Sequence, residues 1–148
     1  MDYRRLFMAF AALVFLSVTS CGDSELDELP SRIQNFITTY YPNASVESVS
    51  DISSGYVARI RNGATLTFDS ESNWVDINGN GELIPSVLLY DQLPTKLYEY
   101  LLTMEKLNGV YRLQRNDKEI IVTLHDTYLT YDRATETIRY PSAPSTVV

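Results

Sequence analysis

Apolar residues recur along this chain at two spacings. Ile33, Phe36, Ile37 and Tyr40 fall at i, i+3, i+4 and i+7, and so do Leu97, Tyr100, Leu101 and Met104. That is the apolar stripe of an amphipathic helix. Pro30 and Pro94 precede the two sets, which suits a first helical turn. Tyr41-Pro42 stops the first helix and Asn108-Gly109 the second. Elsewhere the spacing is two. Tyr56, Ala58 and Ile60 alternate with polar residues, as do Ile120, Val122 and Leu124, the signature of half-buried strands. The pattern predicts strands near 46–52, 55–62, 65–69 and 72–77, then 110–115, 118–125, 128–132 and 135–140, with a short helical turn near Ser86–Asp91.

The two sets of elements are copies. Leu29-Pro30-Ser31-Arg32 returns 64 residues later as Leu93-Pro94-Thr95-Lys96. The offset drops to 63 where Leu66-Thr67-Phe68-Asp69 matches Leu129-Thr130-Tyr131-Asp132. The missing residue falls in the loop around Asn62-Gly63, a type I′ hairpin signal. A deletion there is tolerated, whereas one inside a strand would turn every later side chain to the other face. Each half therefore reads as an α-β-β-β-β unit with antiparallel strands joined by tight turns. Repeat one spans 29–80, a linker 81–92 and repeat two 93–140, an α+β tandem duplication.

The ends carry a different signal. Arg4 and Arg5 precede an apolar run, Leu6–Val18, shorter than the roughly 20 residues a membrane span needs. Val18-Thr19-Ser20-Cys21 follows and resembles a bacterial lipobox. Residues 1–20 thus read as a lipoprotein signal peptide, and Cys21 as the lipidated residue. Residues 21–28 read as an acidic tether, and 141–148 as a disordered tail. The expected location is the cell envelope, lipid-anchored at the outer membrane of a Gram-negative bacterium, facing the periplasm or the surface.

Composition narrows the chemistry. The chain has 148 residues, 45% hydrophobic and 21% charged, which excludes a disordered or collagen-like protein. Twelve basic against nineteen acidic residues leave a net charge of −7. Without a basic cluster, a nucleic-acid partner is excluded. The charge is uneven: residues 21–92 carry −8 and residues 93–148 are neutral. One Cys and one His cannot build an intrachain disulfide or a His/Cys zinc site.

The motifs of the first repeat resemble those of a known family. Leu29-Pro30, Phe36-Ile37, Tyr41-Pro42, Ala44 with Val46, Tyr56 to Gly63, Leu66 to Asp69 and Asn73-Trp74 are similar to the PepSY-like, beta-lactamase-inhibitor-like lipoproteins. The second repeat departs from the pattern, with Met104-Glu105-Lys106 in place of Tyr-Pro and Glu136-Thr137 in place of Asn-Trp. The resemblance spans residues 29–140. It implies a tandem α-β-β-β-β fold with helices packed on one sheet face, and a peptide- or protease-binding role.

No catalytic constellation stands out. His125 is the only imidazole and falls at a turn beside Asp126. The pairs Asp69/Glu71 and Asp132/Glu136 fall in hairpin loops, where acids serve turn chemistry. Asp76, Asn78, Asn80 and Glu82 form the candidate metal set, with calcium as the ion, because oxygen donors fall at the spacing of a calcium loop. Val87 stands where that loop needs its bidentate carboxylate. No other cofactor is expected. Alternation puts Arg59, Arg61 and Trp74 on one face of repeat one, and Tyr128 and Arg139 on the same face of repeat two. Trp, Tyr and Arg are the usual interface anchors. These five are the candidate binding residues for an envelope protein or peptide. The competing reading is a structural or ion- or small-ligand-sensing envelope lipoprotein with no protein target, and a small hydrolase ranks last.

Overall fold

The computed structural model describes residues 24–141. The expected signal peptide, Cys21 and residues 142–148 of the expected tail lie outside the described residues. The elements run α1 (Ser24–Asp27), α2 (Ser31–Tyr40), β1 (Val46–Ile52), β2 (Gly55–Ile60), β3 (Thr65–Asp69) and β4 (Trp74–Asn78). Then come α3 (Ser86–Gln92), α4 (Thr95–Thr103), a 3-10 turn (Leu107–Gly109), β5 (Arg112–Arg115), β6 (Glu119–Thr123), β7 (Tyr128–Asp132) and β8 (Ile138–Arg139). The α+β duplication predicted from periodicity is present. Within the acidic stretch 21–28, Ser24–Asp27 forms one helical turn and Leu26 packs against the core.

All eight strands join one antiparallel sheet in chain order, β1 to β8. The halves meet edge to edge through Asp76↔Gln114, Ile77↔Leu113 and Asn78↔Arg112. An unpaired strand edge exposes a row of N–H and C=O groups. Joining β4 to β5 satisfies one such row from each half. One core results. Ile33 and Ile37 of α2, Leu88 and Leu89 of α3, and Leu97 and Leu101 of α4 pack with Leu66, Ile77, Leu113, Val122 and Leu129 of the sheet. The helices lie on one sheet face, and the deepest side chains come from alternate strand positions, as the pleat requires.

Three local expectations change. The β2–β3 connection is four residues long, with Asn62 in the left-handed region (φ 53°) and Gly63 outside it. A two-residue type I′ turn needs positive φ at both central positions, so the Asn-Gly pair does not form one. The last strand is shorter than 135–140, because Asp132 accepts backbone N–H bonds from Ala134 and Thr135 and opens a turn there. Trp74 does not lie on the open face; it is 2% exposed and belongs to the core. The cause is a bulge: Phe68 pairs with Trp74 but Thr67 with Asp76, leaving Val75 as an extra residue. Two residues opposing one shifts the alternation by one position. Trp74 therefore joins Phe68 and Ile77 on the helix side.

Gly55 opens β2 at φ 148°, and a Cβ there would collide with the Phe68 carbonyl oxygen and the Asp69 backbone. Gly55→Ala is expected to destabilise the protein by more than ~1 kcal/mol. A chemical denaturation midpoint equal to wild type would contradict that packing.

Candidate functional site

The sheet face away from the helices is uncovered. Register places two rows of side chains across it. One runs Arg59, Thr65, Asn78, Arg112, Thr123, Tyr128, and the other Val57, Thr67, Asp76, Gln114, Ile121, Thr130, Arg139. Four of the five candidate binding residues are solvent-facing. Arg59, Tyr128 and Arg139 stand on this face, and Arg61 sits in the loop after β2. They do not converge. Arg59 on β2 and Tyr128 on β7 are five strands apart, about 24 Å at the usual strand spacing. They mark a broad surface rather than a pocket.

Sequence reading missed the centre of this face. Across the seam, Arg112 grips Asp76 with a two-pronged contact, Nε to Oδ1 at 2.9 Å and Nη2 to Oδ2. The Asp76 hydrogen bond raises the Arg112 guanidinium above its ordinary value, burial opposing it. Arg112 and Asp76 are 36 residues apart, and alternation alone could assign both to one face but not to one another.

That ion pair also engages one member of the candidate metal set. Asp76 is held by Arg112. Asn78 Oδ1 accepts the Asn80 N–H at 2.9 Å, and Asn80 Nδ2 donates to the Gly63 carbonyl and to Thr65 Oγ1. Glu82 is exposed. The Asp76 carboxylate thus holds the strand seam, and Asn78 Oδ1 holds the turn after β4. Among the described residues no group of three or more His, Cys, Asp or Glu could hold a metal ion.

The acids noted in the hairpins act locally. Burial raises the Asp69 carboxyl, but N–H bonds from Asn73 and Glu71, with Arg115 nearby, outweigh it and hold it below the usual range. Hydrogen bonds from Thr135 and Ala134 hold Asp132 low in the same way. Each carboxylate closes a turn. His125 is exposed, with its ring 6.3 Å from that of Tyr111.

On the helix side, Trp74 anchors a polar chain. Its Nε1–H donates to Gln92 Oε1 at 3.0 Å, Gln92 Nε2 donates to the Tyr40 hydroxyl at 2.8 Å, and that hydroxyl donates to Asp91 Oδ2 at 3.1 Å. Strand β4 is thereby tied to α3 and α2. Burial pushes the Tyr41 hydroxyl up to about 12, and that oxygen has no hydrogen-bond partner. Exposed apolar side chains gather on the same side: Val87 and Tyr90 of α3 and Leu102 of α4.

Comparison with known proteins places this architecture. A family model described as "Putative beta-lactamase-inhibitor-like, PepSY-like" matches residues 19–76 and 54–138. Three solved structures share the fold. A periplasmic protein of the DUF2874 family from Bacteroides vulgatus is 19% identical, with 79% of this chain and 93% of that chain covered and a TM-score of 0.67. A periplasmic protein from Bacteroides thetaiotaomicron, for which calcium regulation has been suggested, is 22% identical, with coverages of 79% and 93% and a TM-score of 0.65. A second Bacteroides vulgatus periplasmic protein is 17% identical, with coverages of 80% and 96% and a TM-score of 0.65. No curated protein matches the chain. With the family model matching twice and its two copies of the helix–four-strand unit joined in one sheet, the chain belongs to the PepSY-like, beta-lactamase-inhibitor-like family.

Proposed function

We propose that this protein is a non-enzymatic cell-envelope lipoprotein whose open sheet face binds a protein or peptide, with an envelope protease as the first partner to test. The observation that carries the reading is the uncovered face of an eight-stranded sheet. An antiparallel sheet can keep one face in water, and such a face is ordinarily polar. Here Val57, Ile121 and Tyr128 interrupt the threonines and arginines, and Tyr128 is 44% exposed. Tyrosine and arginine bury large area at modest entropic cost, which makes them interface anchors. In the two hairpin pairs, Asp69 and Asp132 are spent on turn hydrogen bonds, which does not favour acid–base work. The envelope location rests on the signal peptide and Cys21, and fits the periplasmic description of the structural relatives.

Site-specific photo-crosslinking in native envelopes tests this. A crosslinker at Thr130 on the open face is expected to capture one defined partner, and Tyr128→Ala with Arg139→Ala to abolish the capture. A crosslinker at Val87, 58% exposed on the helix side, is the control. Capture from Val87 alone would move the interface to the helices, and capture from neither would remove the binding role.

A further inference from the structure

Three arginines from distant parts of the sequence gather at one end of the molecule. Arg32 is the second residue of α2, Arg115 ends β5, and Arg133 follows β7. Among the described residues, the ion pairs are Lys96 with Glu136 and Arg112 with Asp76, so none of the three has a carboxylate partner. Two are pinned by backbone carbonyls, Arg32 Nη1 on Glu71 at 3.4 Å and Arg133 Nη1 on Asn116 at 2.7 Å. Arg115 is held by an aromatic ring instead. Its guanidinium carbon sits 4.2 Å from the Trp74 ring centre, a cation–π contact.

Arg32 and Arg115 line a hollow of about 130 Å³ together with Phe36, Ser72, Asn73, Trp74 and Gln92. No acidic residue lines it. Asp69, Glu71 and Asp117 line another hollow, which Arg115 shares with Arg133. Asp69 is already engaged there, accepting the Glu71 N–H at 2.9 Å and the Asn73 N–H at 2.8 Å, and the Asn73 amide at 3.1 Å. Gln92 spends its amide on Tyr40 and its carbonyl on Trp74. Arg32, Arg115 and Ser72 line the hollow as donors, beside Asn73, whose amide already donates to Asp69.

We propose that Arg32, Arg115 and Ser72 form a carboxylate-binding site where the start of α2 meets the β3–β4 turn. A guanidinium presents a rigid N–H fork that matches the two oxygens of a carboxylate. The partly buried Phe36 ring in the lining suits the methylene stem of an acidic side chain or a small dicarboxylate. Charge supports this assignment. Burial, then the charge of Arg133, and against the pull of Asp69 that of Arg32, bring Arg115 below its ordinary value. An incoming anion offsets the repulsion between Arg115 and its neighbouring arginines. The site lies on the helix side of the sheet and stands independently of the open-face reading.

Trp74 is the only tryptophan of the chain, so its fluorescence reports on the contact with Arg115. Glutarate titrated at constant ionic strength is expected to give a saturable change. Hydrogen bonds to charged groups set the scale, so Arg115→Gln and Arg32→Gln should each weaken binding by about tenfold or more. Lys106→Gln, between α4 and the 3-10 turn and outside the lining of the hollow, should leave it unchanged. If Arg115→Gln fails to fold, Arg32→Gln at its exposed position decides. A change that never saturates, or an affinity untouched by Arg32→Gln, overturns the site. Saturation by inorganic phosphate but not glutarate overturns the carboxylate assignment.

Discussion

Trp74→Ala is expected to lower stability by about 3–5 kcal/mol, the usual cost of truncating a large buried aromatic. The residue is 2% exposed and paired with Phe68 across the bulge. Its loss does more than open a cavity. Gln92 loses the donor to its carbonyl and Arg115 loses the ring beneath it. Against a total stability of about 5–15 kcal/mol for a domain, that is a large fraction. Urea unfolding followed by circular dichroism at 222 nm measures it without needing the indole. Tyr128→Ala, on the open face, should stay within about 0.5 kcal/mol of wild type. A reversed order, with Tyr128→Ala the costlier, would mean that β4 presents Trp74 to solvent.

Leu113→Ala should cost about 2–5 kcal/mol and leave unfolding a single transition. Leu113 is fully buried and pairs with Ile77 at the seam between the halves. The seam has no layer of its own: one sheet and one core cluster run through both copies. Opening β4 from β5 would leave two rows of unpaired backbone groups and strip Ile77 of its neighbour. Trp74 fluorescence reads the first repeat and far-ultraviolet dichroism reads the whole chain. Coincident midpoints are expected in wild type and variant. Two separated transitions would mean that the repeats fold as independent units.

Both predictions rest on features that periodicity could not supply, although periodicity supplied much else. The helix stripe of Ile33 and Ile37, repeated in Leu97 and Leu101, was legible because an amphipathic helix is a local pattern. So was the alternation that put Arg59, Thr65, Tyr128 and Arg139 on one face, because side-chain direction in a strand depends only on parity. The duplication was legible through its 64-residue offset and the single deletion in a loop. Trp74 was misplaced because the bulge at Val75 is a property of two paired strands, and nothing in Asn73-Trp74-Val75 announces it. Asp76 fitted a calcium spacing along the chain, while its partner Arg112 stands 36 residues away. The sequence by itself determined the repeated unit, its helices and strands, and the parity of nearly every strand residue, all set by interactions within a few residues. The tertiary structure alone decided that β4 pairs with β5, that Trp74 turns inward and that Arg32, Arg115 and Arg133 meet. Each of these depends on backbone pairing and packing between segments that no local pattern connects.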